Sequence, residues 1–298
     1  MNGVAELRNF ANRTWRWPET APLLSVRRAR GRIGSLETLR PPVHAAFSRG
    51  GSPVLIAGFP AGSFAANCYV VAPGPGEECL IIDPGQDAEP GITELLAQHR
   101  LRPAAVLATH GHIDHVWSVA PVCGARGIPA YIHPADRDLL SDPAKGFPLQ
   151  VGQQLFRGLT FTEPDDVIAL EDGMTLRLAG VELVVDHAPG HTPGSVTFRS
   201  PQVLFSGDVL FAGSIGRTDL PGGDHAAMLD SLSRVCLTLP DDTHVLPGHG
   251  PETTIGAERA TNPFLAGLSP GPEPPPRPGP RPGPKPPAPA TGSKRPGL

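Results

Sequence analysis

Disulfide chemistry, membrane spans and a basic body are all missing from this sequence. Its 298 residues hold four cysteines, Cys68, Cys79, Cys123 and Cys236, and none forms a CxxC pair. That excludes a disulfide-stapled scaffold and predicts reduced, buried thiols in a cytoplasmic protein. Nowhere does an apolar run approach the roughly 18 residues of a membrane-crossing helix. The longest apolar stretch near the start, Ala21–Val26, is broken by Pro22 and Ser25, too short for the core of a secretory signal. Aromatic residues make up only 5% and charged residues 18%.

Glycine and proline are abundant instead, at 35 and 38 residues. Residues 269–298 contain 13 prolines, with five Lys/Arg against one Glu. Such a segment cannot build a helix or a sheet interior and is expected to be a disordered or polyproline II tail. It reads as a solubilising tail or, more specifically, as a ligand for an SH3-like module; its partner is left open. Residues 1–53 hold nine Arg and three Glu, without Lys or Asp, and show no sustained period. They are expected to be a disordered Arg-rich extension, similar in composition to a transit peptide, or a start site placed too early. The net charge of −4 then leaves −14 on residues 54–268. An acidic body argues against nucleic-acid binding, which needs clustered cations.

Regular patterning begins at Val54. Val54–Phe59, Asn67–Ala72 and Cys79–Asp83 read as short strands between Gly/Pro turns, Ile92–Arg102 as a helix, and Ala104–His110 as a strand buried on both faces. Val116–Arg126 reads as a helix, Pro129–Ile132 as a strand, Ala135–Ser141 as a short helix, and Pro143–Leu170 as irregular. Met174–Leu178 and Val181–Asp186 form a hairpin pattern. Strands follow at Ser195–Phe198 and Val203–Phe205, a helix at Ala226–Leu239 and a last strand at His244–Leu246. Two strand-rich stretches, each with its own helices, predict an α+β sandwich with helices outside two inner sheets.

Four of these segments are apolar strands that end in metal-capable side chains. Thr109-His-Gly-His-Ile-Asp-His115 packs His110, His112, Asp114 and His115 into six residues. Residues two apart on an extended strand end point to one side, so His110 and His112 can grip one ion. Asp114 and His115, after the turn, can face a second. His191, Asp208 and His249 close the strands Val184–His191, Leu204–Asp208 and Val245–His249. The count suits two ions: His110, His112 and His191 for one, Asp114, His115 and His249 for the other, with Asp208 spanning both. Each ion keeps an open position, as catalytic sites do. Water held between two such cations is a nucleophile at neutral pH. With no thiolate in the donor set, Zn2+, iron and manganese all suit it, Zn2+ first. His133, His187, His225 and His244 read as capping, surface or supporting histidines.

The ordered set HxHxDH, PGHT, SGD and PGH resembles the metallo-β-lactamase superfamily over residues 54–268, and most of all its glyoxalase II-like (hydroxyacylglutathione hydrolase-like) branch. The resemblance implies a four-layer αββα sandwich with a two-metal site at one edge between the sheets. It implies that Asp83, in Ile81-Ile-Asp83-Pro-Gly85, stands behind a ligand histidine. It implies that Asp114 also orients the attacking water. Arg217, in the Gly-rich stretch Val209–Gly223, matches a basic residue that contacts the glutathione part of the thioester; a salt bridge to Asp219 or Asp224 is the alternative use of its guanidinium.

The substrate implied is a small thioester. Full-length glyoxalase II carries a helical C-terminal domain, and the stretch from His249 to the proline-rich tail has no room for one. His249 is followed by Gly250, Pro251 and Glu252, without the tyrosine often found there in the family. Dependence on the glutathione part is therefore expected to be weak. A secreted β-lactamase would need a signal sequence, and an RNA-processing nuclease a large insertion between Asp208 and His249. The alternative that remains is a persulfide dioxygenase with one Fe(II) on His110, His191 and Asp208.

Overall fold

The computed structural model describes residues 43–46 and 54–271. Strand alternation sets its layers. A strand whose odd and even residues are both apolar must be covered on both faces. In Glu78–Ile82 (β4), Cys79 and Ile81 face one core, and Leu80 and Ile82 face another. Ala66–Ala72 (β3) divides in the same way, with Cys68 and Val70 on one side and Tyr69 and Val71 on the other.

These strands belong to a seven-stranded sheet in chain order: β1 (Val43–Ala46), β2 (Val54–Ala61), β3, β4, β5 (Arg102–Leu107), β6 (Ala130–Ile132) and β7 (Val167–Ala169). The second sheet has six strands: β8 (Thr175–Leu178), β9 (Val181–His187), β10 (Val196–Arg199), β11 (Val203–Gly207), β14 (His244–Pro247) and β15 (Thr253–Thr254). Its order is β15-β14-β11-β10-β9-β8. Between β11 and β14 lie a small separate hairpin, β12 (Leu210–Phe211) and β13 (Ser214–Ile215), and a helix. The sheets meet over Ile56, Leu80, Ile82, Leu107, Leu183, Val185, Phe198 and Phe205. The helices Glu89–His99 and Val119–Arg126 cover the outside of the first sheet through Ile92, Leu95, Val119 and Val122. The helices His225–Ser231 and Ile255–Thr261 cover the second through Met228 and Ile255. This is the four-layer αββα sandwich.

Several elements differ from the sequence reading for physical reasons. The helix expected over Ile92–Arg102 starts three residues earlier, at Glu89. Its first turn is polar with a proline, which favours a helix start but carries no apolar period. It ends at His99, because Arg100 turns left-handed (φ 56°) and releases Arg102 into β5. The helix expected over Val116–Arg126 is split into Ile113–Val116 and Val119–Arg126. Ser118 stands at the break, donating its N–H to the Pro84 carbonyl and its hydroxyl to that of Gly85. The irregular stretch Pro143–Leu170 contains a helix at Leu149–Leu155 and strand β7. The helix over Ala226–Leu239 is α-helical to Ser231 and then widens into a π-helical turn over Leu232–Cys236. Strand β1, antiparallel to β2 with Val43 opposite Ala57, lies ahead of the expected boundary at Val54. The remainder of residues 1–53 and the proline-rich segment from residue 272, both expected to be disordered, fall outside the described residues. Among the described residues, no helix is long and apolar enough to cross a membrane.

All four cysteines are free and buried. Burial pushes the thiols of Cys79, Cys123 and Cys236 up to about 12. Burial, with Asp83 nearby, holds Cys68 well above its ordinary value. A chromogenic thiol reagent at pH 8 is expected to find no reactive thiol in the native protein and all four after unfolding in urea. A fast-reacting native thiol would contradict this packing.

Candidate metal centre

Strand ends deliver the polar residues. After Leu107 the chain leaves the first sheet through Thr109 and His110, reaches His112 in extended backbone, and closes one helical turn over Ile113–Val116. That turn swings Asp114 and His115 round to face the strand end. His191 follows β9, Asp208 follows β11, and His249 follows β14. Three groups of ligand atoms result, each within 4.8 Å of one another: His110, His112 and His191; His110, His115 and Asp208; Asp114, His115 and His249. All seven residues expected to bind metal are thus brought to one place. Asp208 lies between the two histidine sets, with Oδ1 3.3 Å from His115 Nε2 and Oδ2 3.5 Å from His191 Nε2.

Hydrogen bonds fix how the rings face. Asp83 accepts the Thr109 N–H at 2.7 Å and the Thr109 hydroxyl at 2.6 Å. Having given its one hydrogen to Asp83, the hydroxyl can only accept from His110 Nδ1 at 3.1 Å. His110 Nε2 is left as a bare lone pair facing the cluster. Asp83 Oδ2 lies 3.0 Å from His115 Nδ1, so that ring also points Nε2 inward. The Arg217 carbonyl accepts from His191 Nδ1 at 2.7 Å, with the same result. His112 turns Nδ1 to within 2.8 Å of His191 Nε2. His249 Nε2 is 3.0 Å from Asp114 Oδ2 and 3.2 Å from His115 Nε2.

The donor set fits divalent cations. His110 Nε2, His112 Nε2 and Asp208 Oδ1 are buried without a hydrogen-bond partner among the described residues. Buried polar atoms are seldom left so unless something else satisfies them. The electrostatics divide along the same lines. Burial, together with its histidine neighbours, holds His110 well below its ordinary value. Burial and His191 bring His112 to about 3. Both imidazoles are therefore neutral at pH 7, the form in which an imidazole can ligate a metal. Burial also opposes charge on His115 and His249, but Asp208 and Asp114 outweigh it and hold both imidazoles above their ordinary value. Burial penalises the Asp114 and Asp208 carboxylates, yet His115 and His249 hold both well below the usual range.

Other residues hold the site without a motif to announce them. Tyr69 donates its hydroxyl to the Pro247 carbonyl at 2.8 Å. Asn67 donates its side-chain amide to the carbonyls of Pro247 and Gly250, both at 2.9 Å. These bonds pin the His249 loop of the second sheet to β3 of the first. In sequence both were ordinary strand residues, with no signal to separate them from the core. Gly248 has no freedom to grow, since a Cβ there would fall on Asp208 Oδ1. Arg217, expected at the substrate, spends its guanidinium on a bidentate pair with Asp219 at 2.7 and 2.8 Å. Its backbone carbonyl is the part that reaches the centre. His133 and His187 stack on each other with centroids 4.2 Å apart, and neither belongs to the three ligand groups.

The family profile described as metallo-beta-lactamase superfamily matches residues 61–249. An uncharacterized protein of Mycobacterium tuberculosis H37Rv is 51% identical over 224 residues, 72% of this chain and 100% of that one. Hydroxyacylglutathione hydrolase GloC of Haemophilus influenzae is 34% identical over 209 residues, 69% of this chain and 95% of that one. Among solved structures, the BLEG-1 B3 metallo-beta-lactamase is 42% identical with a TM-score of 0.63, covering 71% of this chain and 100% of that one. TTHA1623 in a di-iron-bound form is 43% identical with a TM-score of 0.58, covering 68% and 97%.

Replacing Asp83 with Ala strands the Thr109 N–H, the Thr109 hydroxyl and His115 Nδ1 in the interior. Each orphaned donor costs about 1–3 kcal/mol. Partial relaxation leaves an expected loss of roughly 2–4 kcal/mol in urea unfolding of the metal-free protein. A loss under about 0.5 kcal/mol would remove Asp83 from its place behind the histidines.

Proposed function

The chain belongs to the metallo-beta-lactamase superfamily, and from that premise we propose that it hydrolyses small thioesters with two divalent ions. The observation that carries the two-ion reading is Asp208, placed between His191 on one side and His115 on the other. A one-ion site on His110, His191 and Asp208 would leave Asp114, His115 and His249 gathered around nothing. Zn2+ suits the N/O donor set, and iron is the metal bound in TTHA1623. Bound there, the ions would supply Lewis acidity toward a carbonyl oxygen and a water acidic enough to attack near neutral pH.

The chain's own residues do the rest. Asp83, through Thr109 and His115, and the Arg217 carbonyl, through His191, keep three imidazoles in one tautomer and one orientation. Asp114 is half in the cluster and 21% exposed. Held ionised by His115 and His249, it can accept a hydrogen bond from a water at the site and orient it. A thiolate leaving group, with an ordinary thiol pKa near ~8.5, needs no strong acid. The Arg217–Asp219 pair is exposed on its Asp219 side, so it holds the guanidinium weakly. A substrate carboxylate could exchange for Asp219 there.

The likeness to GloC favours a hydroxyacylglutathione as the first thioester to test. GloC is matched over 95% of its length, so that name is borne by a protein without a large further domain. The likeness to BLEG-1 favours a second reading, hydrolysis of a β-lactam amide by the same groups. Lactoylglutathione, a chromogenic cephalosporin and glutathione persulfide with oxygen uptake, assayed beside metal analysis, separate the readings. Thioester turnover with about two ions per chain is expected. Oxygen consumption by a one-iron protein without thioesterase activity would overturn the proposal, and so would turnover of the β-lactam alone.

Asp208→Ala is expected to lose most bound metal and thioester turnover together, and turnover at full occupancy would refute the shared role of Asp208. Arg217→Ala is expected to raise KM for a carboxylate-bearing thioester by roughly tenfold with kcat little changed, since anchoring is uniform binding. A thioester without a carboxylate should be indifferent. A large kcat loss with both would place Arg217 in the chemistry.

A further inference from the structure

The loops that carry His110, His112 and His191 share one buried carboxylate that is not itself a ligand. Asp136 sits in the 3-10 turn Pro134–Leu140, after β6, and is completely buried. Its Oδ2 accepts the Gly111 N–H at 2.8 Å and the Thr192 hydroxyl at 2.6 Å. Its Oδ1 accepts the Gly194 N–H at 2.7 Å. Gly111 is the residue between His110 and His112, and Thr192 is the residue after His191. One side chain thus grips the backbone or hydroxyl adjacent to every imidazole of the first ion's set, across a sequence separation that only the fold closes.

The grip is directional. Thr192 spends its hydroxyl hydrogen on Asp136, so the Ser195 hydroxyl, 2.7 Å away, must donate to Thr192 Oγ1. The Thr192 N–H returns to Ser195 Oγ at 3.1 Å, which locks the turn after His191. Close approach is built in: a Cβ on Gly194 would stand 2.6 Å from Asp136 Oδ1. Among the described residues Asp136 makes no bond to Asp114, His115 or His249. There His115 is held by Asp83 at 3.0 Å, and the His249 loop by Asn67 and Tyr69 through the Gly250 and Pro247 carbonyls.

We infer that Asp136 is a positioning residue for the first metal position alone, fixing the spacing between the His110/His112 pair and His191. This rests on the metal-site reading given above. A carboxylate is acceptor-only and matches three donors; an amide would turn an NH2 group against Gly194 N–H or against the Gly111 and Thr192 donors. Asp136→Asn should therefore spread the three imidazoles without touching a ligand. Outer partners of ligands are typically worth about 10–100-fold in metal affinity.

The test is competition between the full-length protein and a chromophoric chelator for Zn2+, with thermal unfolding of the metal-free protein recorded beside it. Wild type is expected to hold two ions. Asp136→Asn is expected to weaken one by about 10–100-fold and leave the other at the wild-type value. It should match the ion lost in His191→Ala rather than the one lost in His249→Ala. Should Asp136→Asn fail to accumulate folded, Thr192→Val removes one of the three donors at nearly constant shape and should show a smaller loss at the same ion. Wild-type affinity for both ions in a folded Asp136→Asn overturns the inference and leaves the metal-site reading standing. Equal weakening of both ions, with a lower metal-free Tm, makes Asp136 a general brace and overturns it too. A wild type that takes up no ion overturns both readings together.

Discussion

Five imidazoles and two carboxylates stand nearly dry at one edge of this protein, and the rest of the fold answers to that constraint. Buried ionisable groups are costly unless each is paired, hydrogen-bonded or bound to a metal. Here the acids and imidazoles partly balance one another. Burial strips charge from His110 and His112, while Asp114 and Asp208 keep it on His115 and His249. The arrangement persists because the loops bearing these groups cannot relax apart. Asp83 ties the first loop to the end of β4, the Arg217 carbonyl fixes His191, and Asn67 and Tyr69 tie the His249 loop to the opposite sheet. The two sheets therefore act as one support rather than as two halves of a hinge.

What the sequence made legible was local. The layers could be read from strands apolar at every position, and the metal set from side chains clustered at strand ends within a few residues. HxHxDH is a local pattern because one strand end and one helical turn suffice to aim all four side chains. What could not be read depends on contacts between residues far apart in the chain. Asn67 and Pro247 lie 180 positions apart, and nothing near Asn67 marks it as an anchor rather than a strand residue. Asp136 lies in Pro-Ala-Asp-Arg-Asp, which suggests a solvated helix start, yet only Asp138 keeps that role, in an exposed pair with Lys145. The helix Leu149–Leu155 was hidden for another reason. It is short, carries Gly152 and three glutamines, and leaves Leu149 exposed, so no apolar period forms.

The Gly-rich stretch after Asp208 shows how a residue can reach the cluster by its main chain rather than its side chain. Arg217, expected at the substrate, meets a histidine of the cluster with its main chain, not its side chain. A carbonyl contact of that kind survives any substitution that keeps the backbone. Sequence identity at Arg217 therefore speaks to the guanidinium alone, and the guanidinium is engaged with Asp219. Any other carboxylate that met this guanidinium would have to displace Asp219 from a pair at 2.7 and 2.8 Å.

Charge balance points the same way for the chemistry. Among the seven side chains only Asp114 and Asp208 bring negative charge, so two divalent cations would leave the filled centre about two charges positive. Enclosed between sheets, that excess is screened less than it would be in water. It favours substrates that carry or develop negative charge: a carbonyl oxygen on the way to an oxyanion, and a departing thiolate. An acidic protein body carrying −14 over residues 54–268 makes the positive centre the exception on its own surface. The positive charge of such a centre would come with the ions, which would displace the protons that Asp114 and Asp208 keep on His115 and His249 in the metal-free protein.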